Sequence, residues 1–93
     1  RSQGNVAYFV EKLGRIGMNV HGQSPIIPIM VGDEEKAARA AEALLALGVF
    51  APCIRYPTVP RGMARLRLTV MASHTHDDLD YVALCLEKAL AAV

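Results

Sequence analysis

The chain has 93 residues, of which 53% are hydrophobic, 20% charged and 5% aromatic, with ten basic side chains against nine acidic ones and no tryptophan. That length fits one small globular core and is too short for two. No apolar run approaches the roughly 20 residues needed to cross a bilayer, and the N-terminal residues lack the basic, apolar and small-residue pattern of a secretion signal.

The near-neutral balance hides an asymmetry. Between Ala43 and His76 stand Arg55, Arg61, Arg65 and Arg67 and no acidic residue, a local charge of +4, which leaves six basic and nine acidic residues, or −3, for the rest. Such a cluster is either a solvated face or an anion site, depending on where the fold puts it. The two cysteines, Cys53 and Cys85, lack CxxC spacing and sit in apolar stretches, so they read as buried thiols of a reducing, cytoplasmic setting.

In chain order, Val6, Phe9, Val10, Leu13 and Ile16 recur at helical spacing and predict an amphipathic helix over residues 3–15, broken by Gly14 and Gly17. It reads as a connecting helix over residues 1–20, and a pattern already under way at Arg1 suggests a helix cut from something longer. Ile26 to Val31 is a β-branched run that predicts a strand buried on both faces, with Pro28 favouring an edge or a bulge. Asp33 is placed to cap a second helix that carries Glu34 and Glu35 in its first turn, where carboxylates complement the helix dipole. Ala37, Ala40, Ala41, Leu44 and Leu45 are its expected core face, and Gly48 its stop.

Residues 49–55 predict a second strand, interrupted by Pro52. Two prolines and a glycine between Tyr56 and Gly62 make a stiff loop. Residues 65–71 alternate, with Leu66, Leu68 and Val70 on one face and Arg65, Arg67 and Thr69 on the other, as in a strand buried on one side. Thr75 and Asp78 have capping-box spacing, and Leu79, Val82, Ala83, Leu86 and Leu90 form the inward stripe of a last helix. The order α-β-α-β-β-α is that of an α+β fold, a small sheet with helices packed on one face, over residues 21–93.

Candidate chemistry is sparse. His74 and His76 beside Asp77 and Asp78 do not make the three or four convergent ligands of a stable metal site, and His74 reads as structural. Cys53, in an apolar strand, has nothing nearby to hold a thiolate. There is no phosphate-binding glycine motif and no basic-aromatic pattern for nucleic acid. Arg55 and Arg67, joined by the rigid Pro57–Pro60 segment, remain: either two exposed arginines or a bidentate grip for a carboxylate or phosphate.

Ile54-Arg55-Tyr56-Pro57-Thr58-Val59-Pro60-Arg61-Gly62, then Ala64-Arg65-Leu66-Arg67-Leu68, then Ala72-Ser73-His74-Thr75, in this order and spacing, resembles the C-terminal domain of the α-oxoamine synthases. Ser24-Pro25-Ile26-Ile27-Pro28 and Val31-Gly32-Asp33 match the same family. The resemblance implies a pyridoxal-phosphate enzyme of the aspartate-aminotransferase fold (fold type I) that condenses an amino acid with an acyl-CoA, releasing CO2 and CoA, as a homodimer. It implies that Arg67 binds the amino-acid carboxylate and that Arg55 and Thr58 line the substrate end of the site. The family ties its cofactor to a lysine in a Ser/Thr-x-x-Lys context, which Lys12, Lys36 and Lys88 lack. The cofactor is therefore expected on a large domain outside this chain, with no catalytic, cofactor-binding or metal residue here and no activity for the chain alone. A non-catalytic module that binds a small anion through Arg55 and Arg67 is the alternative; partners of nucleic-acid or membrane type are not expected.

Overall fold

The computed structural model describes residues 2–21 and 24–93. The elements are α1 (Ser2–Arg15), β1 (Ile26–Gly32), α2 (Glu34–Ala46), β2 (Cys53–Ile54), β3 (Ala64–Thr69) and α3 (His76–Ala91), in the predicted order. The three strands form one antiparallel sheet in the order β1-β3-β2, so β3 is central. The helices cover one face of it, as predicted. Among the described residues, no helix is long and apolar enough to cross a membrane.

The core lies between that face and the helices. Strand β3 contributes Leu66 and Leu68, β1 contributes Ile27 and Ile29, and α1, α2 and α3 add Phe9 and Leu13, Leu44, and Leu79 and Leu86, all buried. Helix α1 thus packs its apolar stripe into the same core as the rest of the chain.

Local chemistry sets the helix ends. The Asp33 carboxylate accepts from the Lys36 amide at 2.9 Å, using one of the amides left free at the start of α2. At the other end the Val49 amide donates to the Leu44 carbonyl at 2.8 Å and the Gly48 amide to Leu45 at 3.0 Å. This Schellman pair needs a left-handed residue, and Gly48 has φ 86°. Helix α3 opens with the predicted capping box, in which Thr75 Oγ1 accepts from the Asp78 amide at 3.0 Å and Asp78 accepts from the Thr75 amide at 2.9 Å.

Four expectations need correction. Strand β1 is not buried on both faces: Ile27 and Ile29 are, while Ile26 and Met30 stay 51% and 53% exposed, because no helix covers the second face. Leu45 is also outside the core, at 61% exposed, since α2 meets the sheet through the narrower stripe of Ala37, Ala40 and Leu44. The strand expected over 49–55 shrinks to Cys53–Ile54. Pro52 has no amide to give the ladder, although its carbonyl accepts from the Arg67 amide at 3.0 Å. Cys53 is consequently half-buried, whereas Cys85 is buried as expected. Pro28 does lie on an edge strand, and a register shift falls between Met30 and Gly32.

Three side chains tie α1 to the last part of the chain. Asn5, the one polar residue of the buried set among the described residues, donates through Nδ2 to the carbonyls of Met71 and His74, each at 2.9 Å. Tyr8 donates its hydroxyl to Asp80 at 2.6 Å and stacks on His76 with 3.8 Å between ring centres, while Lys12 lies 3.4 Å from the same carboxylate.

Leu66→Ala removes a fully buried side chain from the central strand and is expected to cost about 2 to 5 kcal/mol, read as a lower denaturation midpoint. The amide and hydroxyl of Thr75 hold the Asp78 carboxyl below its usual range. The bond from Tyr8, helped by Lys12, does the same for Asp80. A lowered carboxyl contributes stability that is whole above the ordinary aspartate pKa and is lost as pH falls through the lowered value. The stability advantage over Asp78→Asn should therefore be whole at neutral pH and shrink as pH falls below the ordinary aspartate range in paired denaturation curves. An advantage that persists in acid contradicts this.

Candidate functional site

The alternation of β3 decides where the arginines go. With Ala64, Leu66 and Leu68 facing the helices, Arg65, Arg67 and Thr69 point to the uncovered face, where β1 sets Met30 opposite Arg65, Pro28 opposite Arg67 and Ile26 opposite Thr69. Across the other edge Ile54 pairs with Arg65. The open face is thus a short apolar surface carrying two guanidinium groups.

The structure then divides the four arginines. Arg65 turns back on its own chain and donates through Nε and Nη2 to the Met63 carbonyl, both at 3.1 Å. Arg61 lays its guanidinium over the Tyr56 ring, 3.9 Å from its centre. Arg55 and Arg67 are exposed, and among the described residues neither has an ion pair or a side-chain hydrogen bond. The two arginines that sequence reasoning selected are the two that remain available for a ligand.

Their backbones differ in support. Arg67 is locked in the central strand, with Pro28 beside it in one ladder and its amide on Pro52 in the other. Arg55 leaves β2 at the start of a turn, its carbonyl accepting from the Thr58 amide at 3.0 Å and from Val59 at 3.4 Å. Extending the β2–β3 register places Arg55 opposite Ala64, three residues from Arg67 or about 10 Å along the sheet. The two arginines therefore share neither a backbone position nor the phase of the pleat, since the partner position of Arg55 is the inward-facing Ala64 whereas Arg67 faces outward. Thr58 is exposed in the same loop.

A cavity of about 570 Å³ opens beside this region, between β3, the first turns of α3 and the segment 48–52. Arg67 lines it, and Arg55 and Thr58 do not. Besides Thr69, its other polar side chains are engaged in holding the fold: His74 Nδ1 accepts from the Met71 amide at 2.9 Å, Asp78 caps α3, and the Tyr81 hydroxyl donates to the Leu47 carbonyl at 2.6 Å. His74 therefore has the structural place expected of it. His76 is stacked on Tyr8, and among the described residues no group of three His, Cys, Asp or Glu side chains is placed to hold a metal ion.

The lysines do not fit a pyridoxal-phosphate site. Lys12 of α1 is paired with Asp80 of α3, Lys36 and Lys88 are exposed on α2 and α3, and none lines the cavity beside Arg67. Nothing among the described residues forms a glycine-rich phosphate cradle against such a lysine. No chemical step through that cofactor is derived from this chain's residues.

Sequence reasoning gave Glu34 only a place in the first turn of α2 and overlooked both its bond from the Tyr56 amide and the pairing of Tyr56 with Arg61. The available signal was an aromatic and a cation at opposite ends of a loop closed by two prolines, positions that a tight bend brings together.

The family described as aminotransferase class I and II matches residues 1–86. A Desulfovibrio desulfuricans protein named 8-amino-7-oxononanoate synthase is 77% identical over all 93 residues, which span 24% of its length. The Bacillus velezensis 8-amino-7-oxononanoate synthase 1 is 47% identical over 82% of this chain and 20% of its own. Among solved structures, a serine palmitoyltransferase of S. paucimobilis with a bound PLP–myriocin aldimine superposes with TM-score 0.85 at 28% identity. It covers 98% of this chain, which corresponds to 24% of that one. The resemblance to α-oxoamine synthases and the fold-type-I architecture are both borne out. The chain spans about a quarter of the length of the curated relatives it matches.

Added pyridoxal phosphate, followed by borohydride reduction of the 93-residue chain, should give no single stoichiometric lysine adduct by peptide mass spectrometry. A unique adduct at Lys12, Lys36 or Lys88 would contradict the lysine placement.

Proposed function

This chain belongs to the aminotransferase class I and II family, and from that membership we propose that it forms the C-terminal small domain of a pyridoxal-phosphate-dependent acyltransferase. The whole enzyme condenses an amino acid with an acyl-CoA and releases CO2 and CoA. The names of the similar relatives favour 8-amino-7-oxononanoate synthesis, a step of biotin formation. Serine palmitoyltransferases superpose well but at lower identity, and they, with glycine C-acetyltransferases, are the alternative branches. In this reading the cofactor is held by a large domain outside these residues, and the working unit is a homodimer.

The observation that carries the reading is the available guanidinium of Arg67, on the central strand, in a stretch of chain with no acidic residue. A guanidinium presents two parallel N–H donors that match a carboxylate, and its charge persists at any physiological pH. Because β3 is fixed by ladders on both sides, holding the donor in place costs little ordering when the ligand arrives. Within this proposal Arg67 binds and orients the carboxylate of the amino acid, the group later lost as CO2. Arg55 and Thr58, from the adjoining loop, line the substrate end of the same site. The cavity beside Arg67, walled by Val49, Leu68, Val70, Leu79 and Val82, lets part of the site exclude water. Exclusion of water strengthens a charge-assisted contact.

In the full-length polypeptide carrying this chain, Arg67→Ala should raise the amino-acid KM about 10- to 100-fold, the loss expected for hydrogen bonds between charged groups, with the acyl-CoA KM near its starting value. Arg67→Lys should fall between, since an ammonium keeps the charge without the two-pronged geometry. A normal amino-acid KM in Arg67→Ala, measured by steady-state kinetics, overturns the assignment.

A further inference from the structure

The loop that presents Arg55 and Thr58 is held from both ends and from one side. At its start, the Tyr56 amide donates to Glu34 Oε2 at 3.3 Å, a contact between residues 22 apart in sequence. Across the bend, the Arg61 guanidinium covers the Tyr56 ring at 3.9 Å. At its end, the Gly62 carbonyl lies against Gly32, where an added Cβ would sit 3.6 Å from that oxygen. Gly32 also has φ 94°, a backbone state that disfavours any other residue and lets the β1–α2 turn lie beside the loop. Glu34 is the first residue of α2, so its backbone is fixed by the capped start of that helix.

These contacts involve groups that have no other assigned task. Arg61 is one of four arginines in the basic stretch, yet its charge is spent on a ring. Glu34 faces the loop, whereas the neighbouring Glu35 pairs with Arg39 along α2. A stack between the two ends of a loop with prolines at 57 and 60 shortens the range of paths open to Thr58. The acceptor on Tyr56 fixes where that path starts.

We infer that Glu34, Tyr56 and Arg61 are positioning residues: the Glu34 carboxylate and the Tyr56–Arg61 stack fix the Arg55–Thr58 segment against the β1–α2 turn and thereby set the affinity of the site for its amino acid. The inference rests on the substrate role given above to Arg55, Thr58 and Arg67. None of the three need touch the substrate. Their effect is on how much ordering the loop still has to undergo when the substrate binds.

The test uses the full-length enzyme with its cofactor and two readouts, amide hydrogen exchange of the 55–62 segment and steady-state kinetics in the amino acid. Arg61→Ala and Tyr56→Leu should each speed exchange of the Thr58 and Val59 amides, and raise the amino-acid KM, by about two- to fivefold, as for loss of an exposed cation–π contact, with kcat held. Tyr56→Phe keeps the ring and Glu34→Gln keeps an acceptor oxygen, so both should restore the original exchange and KM, whereas Glu34→Ala should behave as Arg61→Ala does. Unchanged exchange in Arg61→Ala and Tyr56→Leu overturns the clamp. Faster exchange with an unchanged KM overturns the positioning role, as does equal loss in Tyr56→Phe and Tyr56→Leu. A normal KM in Arg67→Ala overturns the substrate reading itself, an outcome distinguishable from the others because the exchange data do not depend on it.

Discussion

The period-two burial of β3 is the constraint on which the remainder of the molecule depends. Ala64, Leu66 and Leu68 are pressed against the helices at 0%, 0% and 4% exposure. Their alternates have no choice but to face the other way, since a one-residue slip would drive Arg65 and Arg67 into the core. The hydrophobic demand of one face therefore fixes the chemistry of the other. Because β3 is paired on both edges, the backbone carrying Arg67 is also among the best restrained in the domain.

Charge follows from the same arrangement. The acidic residues of α2 and α3 are placed at helix starts or on helix surfaces, as Asp33, Glu35, Asp78 and Asp80 show through their caps and pairs. Among the described residues none of them forms an ion pair with an arginine of the basic stretch, although Glu34 accepts from the Tyr56 amide and Asp78 lines the cavity beside Arg67. Within that stretch, self-contact removes Arg61 and Arg65 from competition, through the Tyr56 ring and the Met63 carbonyl. What remains is selective: one arginine on a rigid strand and one on a loop, their backbone positions about 10 Å apart along the sheet.

Helix α1 connects this arrangement to the rest of the core. Asn5 satisfies two carbonyls of the turn that joins β3 to α3, and Tyr8 reaches Asp80 and His76 on α3. The Met71–His74 turn is held from within by His74 as well. The wall of the cavity beside Arg67 is accordingly braced by hydrogen bonds that span most of the chain's length, and its shape depends on packing contributed by both termini.

By itself the sequence determined the elements, their order, the caps of α2 and α3, the inward faces of all three helices in outline, and the pair of arginines worth testing. Each of these is a local property: periodicity, capping chemistry and proline placement act over a few residues. The resemblance of the Ile54–Gly62 and Ala64–Leu68 segments added the family. Tertiary structure alone decided that one face of β1 stays open, that Leu45 lies outside the core, that β2 is two residues long, and that, among the described residues, Arg61 and Arg65 are occupied while Arg55 and Arg67 have no side-chain partner. It also decided the bond from Tyr56 to Glu34 and the grip of Asn5 on the turn before α3. The physical reason is common to all of them: they depend on which surfaces meet between segments far apart in sequence, and no short-range pattern encodes the number of layers covering a sheet or the partner a guanidinium finds across a bend.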